Sequence, residues 1–191
     1  MLIIYVLAYA LLAGFFVIER FVRRGKDTKN MNRTNNDKGT TTFVSIVMGM
    51  AFILLPISPL LNWSGIGAVC VLWIGVLGLL LGMAGLVIRY FAFTTLGRFF
   101  SRTLREAENH TLVTSGIYKY IRHPGYLSDF LIFIGIALAM NNLISTIVVP
   151  ATFVPAYVYR IHIEEKMLIG IFGKQYVEYQ KSSKRLIPFI L

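Results

Sequence analysis

Residues 2–18, 43–61, 66–88, 126–140 and 143–159 are almost uninterrupted apolar runs. They constrain the fold more than any other feature of the chain. Crossing the hydrocarbon core of a bilayer as a helix takes roughly 20 apolar residues, so the runs predict membrane helices. Composition agrees, with 56% hydrophobic and 15% charged residues, where soluble domains run nearer half apolar and a quarter charged. The last two runs are short and separated only by Asn141-Asn142, which predicts a tight helical hairpin. The first run has no basic segment ahead of it and is followed by Glu19-Arg20 rather than a small-residue cleavage site. It is therefore expected to stay as a helix and not to be a signal peptide. The expected fold class is all-α, an integral membrane protein of about five transmembrane helices.

Charge supplies an orientation. All 19 Lys and Arg fall in three segments, residues 20–38, 89–122 and 160–185, and the connections 62–65 and 141–142 carry none. Positive residues gather on the cytoplasmic side, so five passes with the N-terminus outside and the C-terminus inside satisfy the pattern. The net charge of +10 is then a bias toward one membrane face. No aromatic-interleaved basic stripe stands clear of the apolar runs, so nucleic acid is not an expected partner. The single Cys70 lies within an apolar run and permits no intramolecular disulfide.

The chain divides by character into an N-terminal transmembrane scaffold of three helices, residues 1–88, and a C-terminal region, residues 89–191, where the chemistry is expected. Gly75, Gly78, Gly82 and Gly85 recur at three or four residues, on one helix face. Small residues so placed allow close helix approach in membranes. A nucleotide-binding glycine loop needs a strand before it and a helix after it in a βαβ unit, which is not available here, so no Rossmann domain is expected. From Arg89 onward charges, glycines and aromatics mix. Phe93, Leu96, Phe99, Phe100 and Leu104 alternate with Arg98, Arg102 and Arg105, a pattern that fits an interfacial amphipathic element. The joining loop, residues 23–41, is rich in Asn, Thr and Lys.

Several polar residues carry two readings. His110, His123 and His162 do not have the spacing of metal ligands, and no metal is expected. Arg122 fits a snorkelling anchor, and Pro124 the first-turn proline of the fourth helix. Asp129, one turn into that helix, is either a functional intramembrane carboxylate or a structural group near a helix N-terminus. Arg160 and Glu164 are four apart on one helical face, next to Glu165 and Lys166 at the membrane boundary. Gly173 after Phe172 marks a break between two helices.

Two clusters together are distinctive. "HTLVTSGIYKYIRHPGY" (110–126) is followed after the hairpin by "RIHIEEKMLIGIFGKQYVEYQ" (160–180) and a final "IPFI". The pair resembles the isoprenylcysteine carboxyl methyltransferases, in the form of a short prokaryotic member, over roughly residues 89–191. The resemblance implies an integral membrane methyltransferase with S-adenosylmethionine as cofactor and S-adenosylhomocysteine as product. It would methyl-esterify the carboxylate of an isoprenylated, lipid-linked cysteine in the cell membrane, with the cofactor in a cytosol-facing pocket. By the same resemblance His110, Thr111, Leu112 and Val113, then Tyr118, then His123, Pro124, Gly125 and Tyr126, line the cofactor pocket. Thr103 stands where some relatives have a pocket Gln. Glu164 is implied to contact cofactor, and Arg160 to bind the substrate carboxylate, making Arg160 and Glu164 the implied catalytic pair.

The residue chemistry agrees with these roles. A carboxylate is ionised at neutral pH, its reference pKa being about 4, so accepting a methyl group requires no general base. What is required is alignment of the reacting atoms and exclusion of water. Arg160 offers a planar fork for a carboxylate, and Tyr118 and Tyr126 offer aromatic faces for a sulfonium. Two rival readings share the architecture: a phospholipid or small-lipid N-methyltransferase, and an NADPH-dependent sterol-type reductase, suggested by "RHPGYLSD". The expected partners are the lipid-linked carboxylate and membrane lipid, with no obligate protein partner.

Overall fold

The computed structural model describes residues 1–23, 31–33, 39–97, 105–107 and 112–186. The elements run α1 (Leu2–Arg23), β1 (Met31–Arg33), α2 (Thr40–Trp63), α3 (Leu72–Leu96), β2 (Arg105–Ala107), a 3-10 turn (Gly116–Lys119), α4 (Pro124–Ala139), α5 (Leu143–Phe172) and α6 (Lys174–Ser182). β1 and β2 pair antiparallel, Met31 opposite Ala107. Apart from that three-residue pairing, the described elements are helical, as the apolar runs predict.

Four helices, α1, α2, α3 and α5, are long and apolar enough to cross a membrane. α4 has 16 residues, about 24 Å at 1.5 Å per residue, so it is shorter than a full span. α5 is the opposite case. It has 30 residues, about 45 Å, and carries the apolar run and the Arg160–Glu165 cluster on one continuous rod. Pro124 occupies the first turn of α4, and Gly173, at φ 54°, separates α5 from α6, both as expected.

The third helix starts later than its apolar run. Residues 66–71 are apolar but not helical, because they pair with the α4–α5 turn. Val69 N–H donates to the Asn141 carbonyl at 2.9 Å, and Leu143 N–H donates to the Gly67 carbonyl at 2.7 Å. Asn141 turns the chain at φ 49°, a conformation Asn tolerates better than most residues. Asn142 caps α5 by accepting from the Ile144 and Ser145 amides, while its side-chain amide reaches Asn62 and the Ile66 carbonyl. Three uncharged asparagines thus satisfy the backbone at the end of the bundle remote from the basic segments.

The glycine stripe works by proximity. A Cβ at Gly78 would stand 2.4 Å from the Gly135 carbonyl oxygen and 2.5 Å from the Ala139 nitrogen. One at Gly82 would meet Leu11 at 2.7 Å, and one at Gly85 would meet the Ile132 backbone at 2.8 Å. α3 therefore lies backbone to backbone on α4 and receives α1 on the same stripe. Phe15, Phe52, Phe133, Phe153 and Tyr157 form an aromatic core between α1, α2, α4 and α5, with ring centroids 5.0–5.9 Å apart.

At the basic end, one guanidinium ties four helices together. Arg89 of α3, 4% exposed, contacts Glu19 of α1 and Asp129 of α4, each at 2.5 Å. Tyr157 of α5 donates to the second Asp129 oxygen at 3.0 Å. Arg89 also lies over the rings of Phe15 and Phe93, 4.2 and 4.4 Å from their centroids. Asp129 is thus part of a buried ionic strut, the structural one of its two readings.

Candidate functional site

Just beyond that strut, the N-terminus of α4 meets the charged stretch of α5. Tyr126, in the first turn of α4, donates its hydroxyl to Glu164 Oε2 at 2.5 Å and accepts from Arg160 Nε at 3.1 Å. Arg160 and Glu164 share a helix face as their spacing requires, but the hydroxyl of Tyr126 links them. Arg160 is 3% exposed, so it is not a surface ion-pair residue. Its Nη1 donates to Thr40 Oγ1 at 2.8 Å and Thr41 Oγ1 at 2.7 Å, at the start of α2. The guanidinium is therefore held on two edges in one orientation.

Glu164 is ringed by aromatic groups. The His123 ring stacks on Tyr126 at 5.5 Å and 14°, with Nδ1 3.8 Å from Glu164 Oε2. Tyr118, in the 3-10 turn, and Tyr176, on α6, feel the Glu164 charge. Burial pushes the Tyr118 phenol well above its ordinary pKa and Glu164 pushes it further. Burial also raises Tyr176, assisted by Glu165 and then Glu164. Both hydroxyls stay protonated at neutral pH.

Glu165, one residue on, faces the other way and organises the support. It accepts from Arg122 Nε at 3.0 Å and from Arg185 Nη2 at 2.8 Å, and lies 3.3 Å from His123 Nε2. Arg122 also donates from Nη1 to the Gln180 and Ser183 carbonyls, so it is a half-buried connector rather than a snorkelling anchor. Behind it the Arg122 and His123 amides donate to the Lys184 and Arg185 carbonyls at 2.8 and 3.2 Å, and the Lys184 amide returns a bond to Tyr120. Tyr179 donates to the Tyr118 carbonyl at 2.5 Å, and burial pushes its phenol up to about 12. The segment after α6 thus clamps residues 118–123.

Of the residues singled out in the sequence, Tyr118, His123, Pro124, Gly125, Tyr126, Arg160 and Glu164 converge here. Leu112 and Val113 are half-buried in the stretch leading into the 3-10 turn. Thr103, His110 and Thr111 lie outside the described residues. So does most of the expected amphipathic element, which is followed along α3 only to Leu96 and Gly97. A Cβ at Gly125 would meet the Phe93 ring at 3.7 Å, an ordinary contact, so space does not require glycine there. Sequence reasoning missed Thr40, Thr41, Glu165 and Arg185 as members. Glu165 was signalled only by adjacency to Glu164, and the threonines lie at the edge of a polar loop with nothing to mark them. Among the described residues no group of three His, Cys, Asp or Glu could hold a metal ion.

Fold and site together define a multi-pass helical membrane protein whose ionisable groups gather at one end of the bundle, around a carboxylate ringed by tyrosines. Residues 76–170 match the family model for the isoprenylcysteine carboxyl methyltransferase (ICMT) family, so this stretch is similar to that family. Similar curated proteins are the protein-S-isoprenylcysteine O-methyltransferase of Tribolium castaneum and the protein-S-isoprenylcysteine O-methyltransferase B of Arabidopsis thaliana. The first is 36% identical over 123 residues, 62% of this chain and 43% of the relative. The second is 38% identical over 121 residues, 62% of this chain and 61% of the relative. A solved structure of the eukaryotic intramembrane Ras methyltransferase ICMT superposes with a TM-score of 0.56 at 30% identity, covering 82% of this chain and 55% of that one. The chain thus spans about half the length of these relatives.

Proposed function

We propose that this protein is an S-adenosylmethionine-dependent methyltransferase that esterifies the carboxylate of an isoprenylated, lipid-linked cysteine at the membrane. The observation that carries the reading is Glu164, a carboxylate with 23% side-chain exposure set among Tyr118, Tyr126, Tyr176 and His123 and joined through Tyr126 to a buried arginine. A carboxylate and aromatic faces suit a ligand bearing an ammonium and a sulfonium. The described residues fit such a cofactor in a second respect. The first turn of α4 has no side-chain cap, and the amides of Gly125 and Tyr126 have no intrahelical partner, which suits a ligand carboxylate.

Bound S-adenosylmethionine would supply a methyl group on a positively charged sulfur, and loss of that methyl to a carboxylate oxygen leaves S-adenosylhomocysteine. The protein's own groups bind and orient. Glu164 and the rings around it hold the cofactor. Arg160, fixed through Nε by Tyr126 and through Nη1 by Thr40 and Thr41, presents its fork to the substrate carboxylate. No residue has to remove a proton, because that carboxylate is already ionised. Arg160 also weighs against an amine acceptor, which would gain nothing from a neighbouring cation.

In this reading residues 1–88, with α1, α2 and most of α3, are scaffold, and residues 89–191 carry the chemistry with Thr40 and Thr41 assisting. The basic end of the bundle faces the cytoplasm. Isothermal titration of the detergent-purified protein with S-adenosylhomocysteine and with NADPH tests the class. Binding of the first is expected; binding of NADPH alone would overturn the reading in favour of a reductase. Arg160→Ala is expected to abolish esterification of a farnesylated cysteine while leaving S-adenosylhomocysteine affinity within a fewfold. Loss of that affinity in a folded variant would refute the role of Arg160.

A further inference from the structure

Tyr176 belongs to the "FGKQY" stretch that helped mark the family resemblance, yet nothing so far gives its hydroxyl a task. It sits one turn into α6, is 1% exposed, and its ring packs edge-on against Tyr179 with centroids 5.8 Å apart. Among the described residues its hydroxyl has no hydrogen-bond partner. Buried hydroxyls are almost always bonded, and each exception calls for an explanation. The neighbouring Tyr179 shows the rule, since its hydroxyl is bonded to the Tyr118 carbonyl.

The surroundings of the Tyr176 hydroxyl are not neutral. It lies in the field of Glu165 and Glu164, with Arg122 opposing. Glu165 is committed to Arg122, Arg185 and His123. Glu164 is the more open of the two, with Oε2 on Tyr126 and its side chain 23% exposed. A cation brought between Glu164 and the phenol would meet a carboxylate and a hydroxyl oxygen together. We propose that Tyr176 is a cofactor-binding residue whose hydroxyl, with Glu164, receives the ammonium of the cofactor's amino-acid end. This rests on the methyltransferase reading above, which counts the Tyr176 ring among those around Glu164, and adds to it a task for the hydroxyl.

The test is Tyr176→Phe, which removes one oxygen and keeps the ring. Two ligands are titrated into wild type and variant: S-adenosylhomocysteine, and 5′-methylthioadenosine, which lacks the amino-acid end. Hydrogen bonds to charged groups are the stronger ones, so affinity for S-adenosylhomocysteine should fall about tenfold or more, while that for 5′-methylthioadenosine stays within twofold. Thermal unfolding without ligand gives an independent readout. Removing an unpartnered buried hydroxyl relieves a desolvation cost, so the ligand-free variant should melt at the same temperature as wild type or higher.

Unchanged S-adenosylhomocysteine affinity would overturn the inference, as would an equal loss for both ligands. A lower ligand-free melting temperature, or failure of the variant to fold, would overturn it too, because either would mean the hydroxyl already serves the protein alone. Failure of the wild type to bind S-adenosylhomocysteine at all would instead remove the methyltransferase reading on which the inference rests.

Discussion

The hydroxyl of Tyr126 is the strut between Arg160 and Glu164 of α5, and Tyr126→Phe removes only that strut. The ring contacts should persist, His123 stacked at 5.5 Å and Tyr157 edge-on at 5.4 Å. What disappears is the donation to Glu164 at 2.5 Å and the acceptance from Arg160 Nε at 3.1 Å. Each is a hydrogen bond to a charged group, worth about 1.5–3 kcal/mol, but the two ends recover differently. Glu164 keeps a solvent-exposed face and can regain water. Arg160 is 3% exposed and cannot regain water, so its end sets the loss. One charged bond corresponds to a fall in kcat/KM of about 10–150-fold at 1.36 kcal/mol per decade, and to a drop in Tm of about 3–12 °C for a chain of this size. Methyl-ester formation on a farnesylated cysteine, measured beside thermal unfolding in the same detergent, reads both. A kcat/KM within twofold of wild type with an unchanged Tm would refute the reasoning.

Three further perturbations test other parts of the fold. Gly78→Val should prevent recovery of folded protein, since its Cβ would press on the Gly135 and Ala139 backbone, whereas Gly49→Ala, with nothing within 4 Å, should be neutral or stabilising by about 0.5–1 kcal/mol; gel-filtration recovery and Tm decide both. Arg89→Met should destabilise by about 3–5 kcal/mol because Glu19 and Asp129 lose the buried guanidinium between them, and adding Glu19→Gln and Asp129→Asn should restore most of the lost Tm. Glu165→Ala releases Arg122, Arg185 and His123 together, and hydrogen exchange should show the amides of Arg122, His123 and Lys184 losing protection about tenfold or more.

The helical membrane fold was legible because each span is a long apolar run, and the hairpin was legible because Asn141-Asn142 interrupts one. The start of α3 was misplaced because hydropathy cannot tell an apolar residue in a helix from one whose backbone pairs with a distant turn, as Val69 does with Asn141. That the candidate residues on α4 and α5 come together was legible from motif and spacing, since helical geometry alone puts Arg160 and Glu164 on one face. Their partners were not. Thr40 lies 120 positions from Arg160 and Glu19 lies 70 from Arg89, and no local pattern encodes such a meeting. The same holds for Glu165, whose importance comes from Arg122 on one side and Arg185 on the other.

The bond from Arg160 back to Thr40 and the clamp of Lys184 and Arg185 on Tyr120–His123 also bear on timing. During synthesis α2 and the 118–126 segment emerge well before α5 and α6. Until those helices follow, Thr40 and Thr41 lack Arg160, Tyr126 lacks Arg160 and Glu164, and the Arg122 and His123 amides lack the Lys184 and Arg185 carbonyls. A nascent chain inserted as far as α4 therefore carries the motif but no working site. The arrangement is complete only once α5 and the segment behind α6 are both in place.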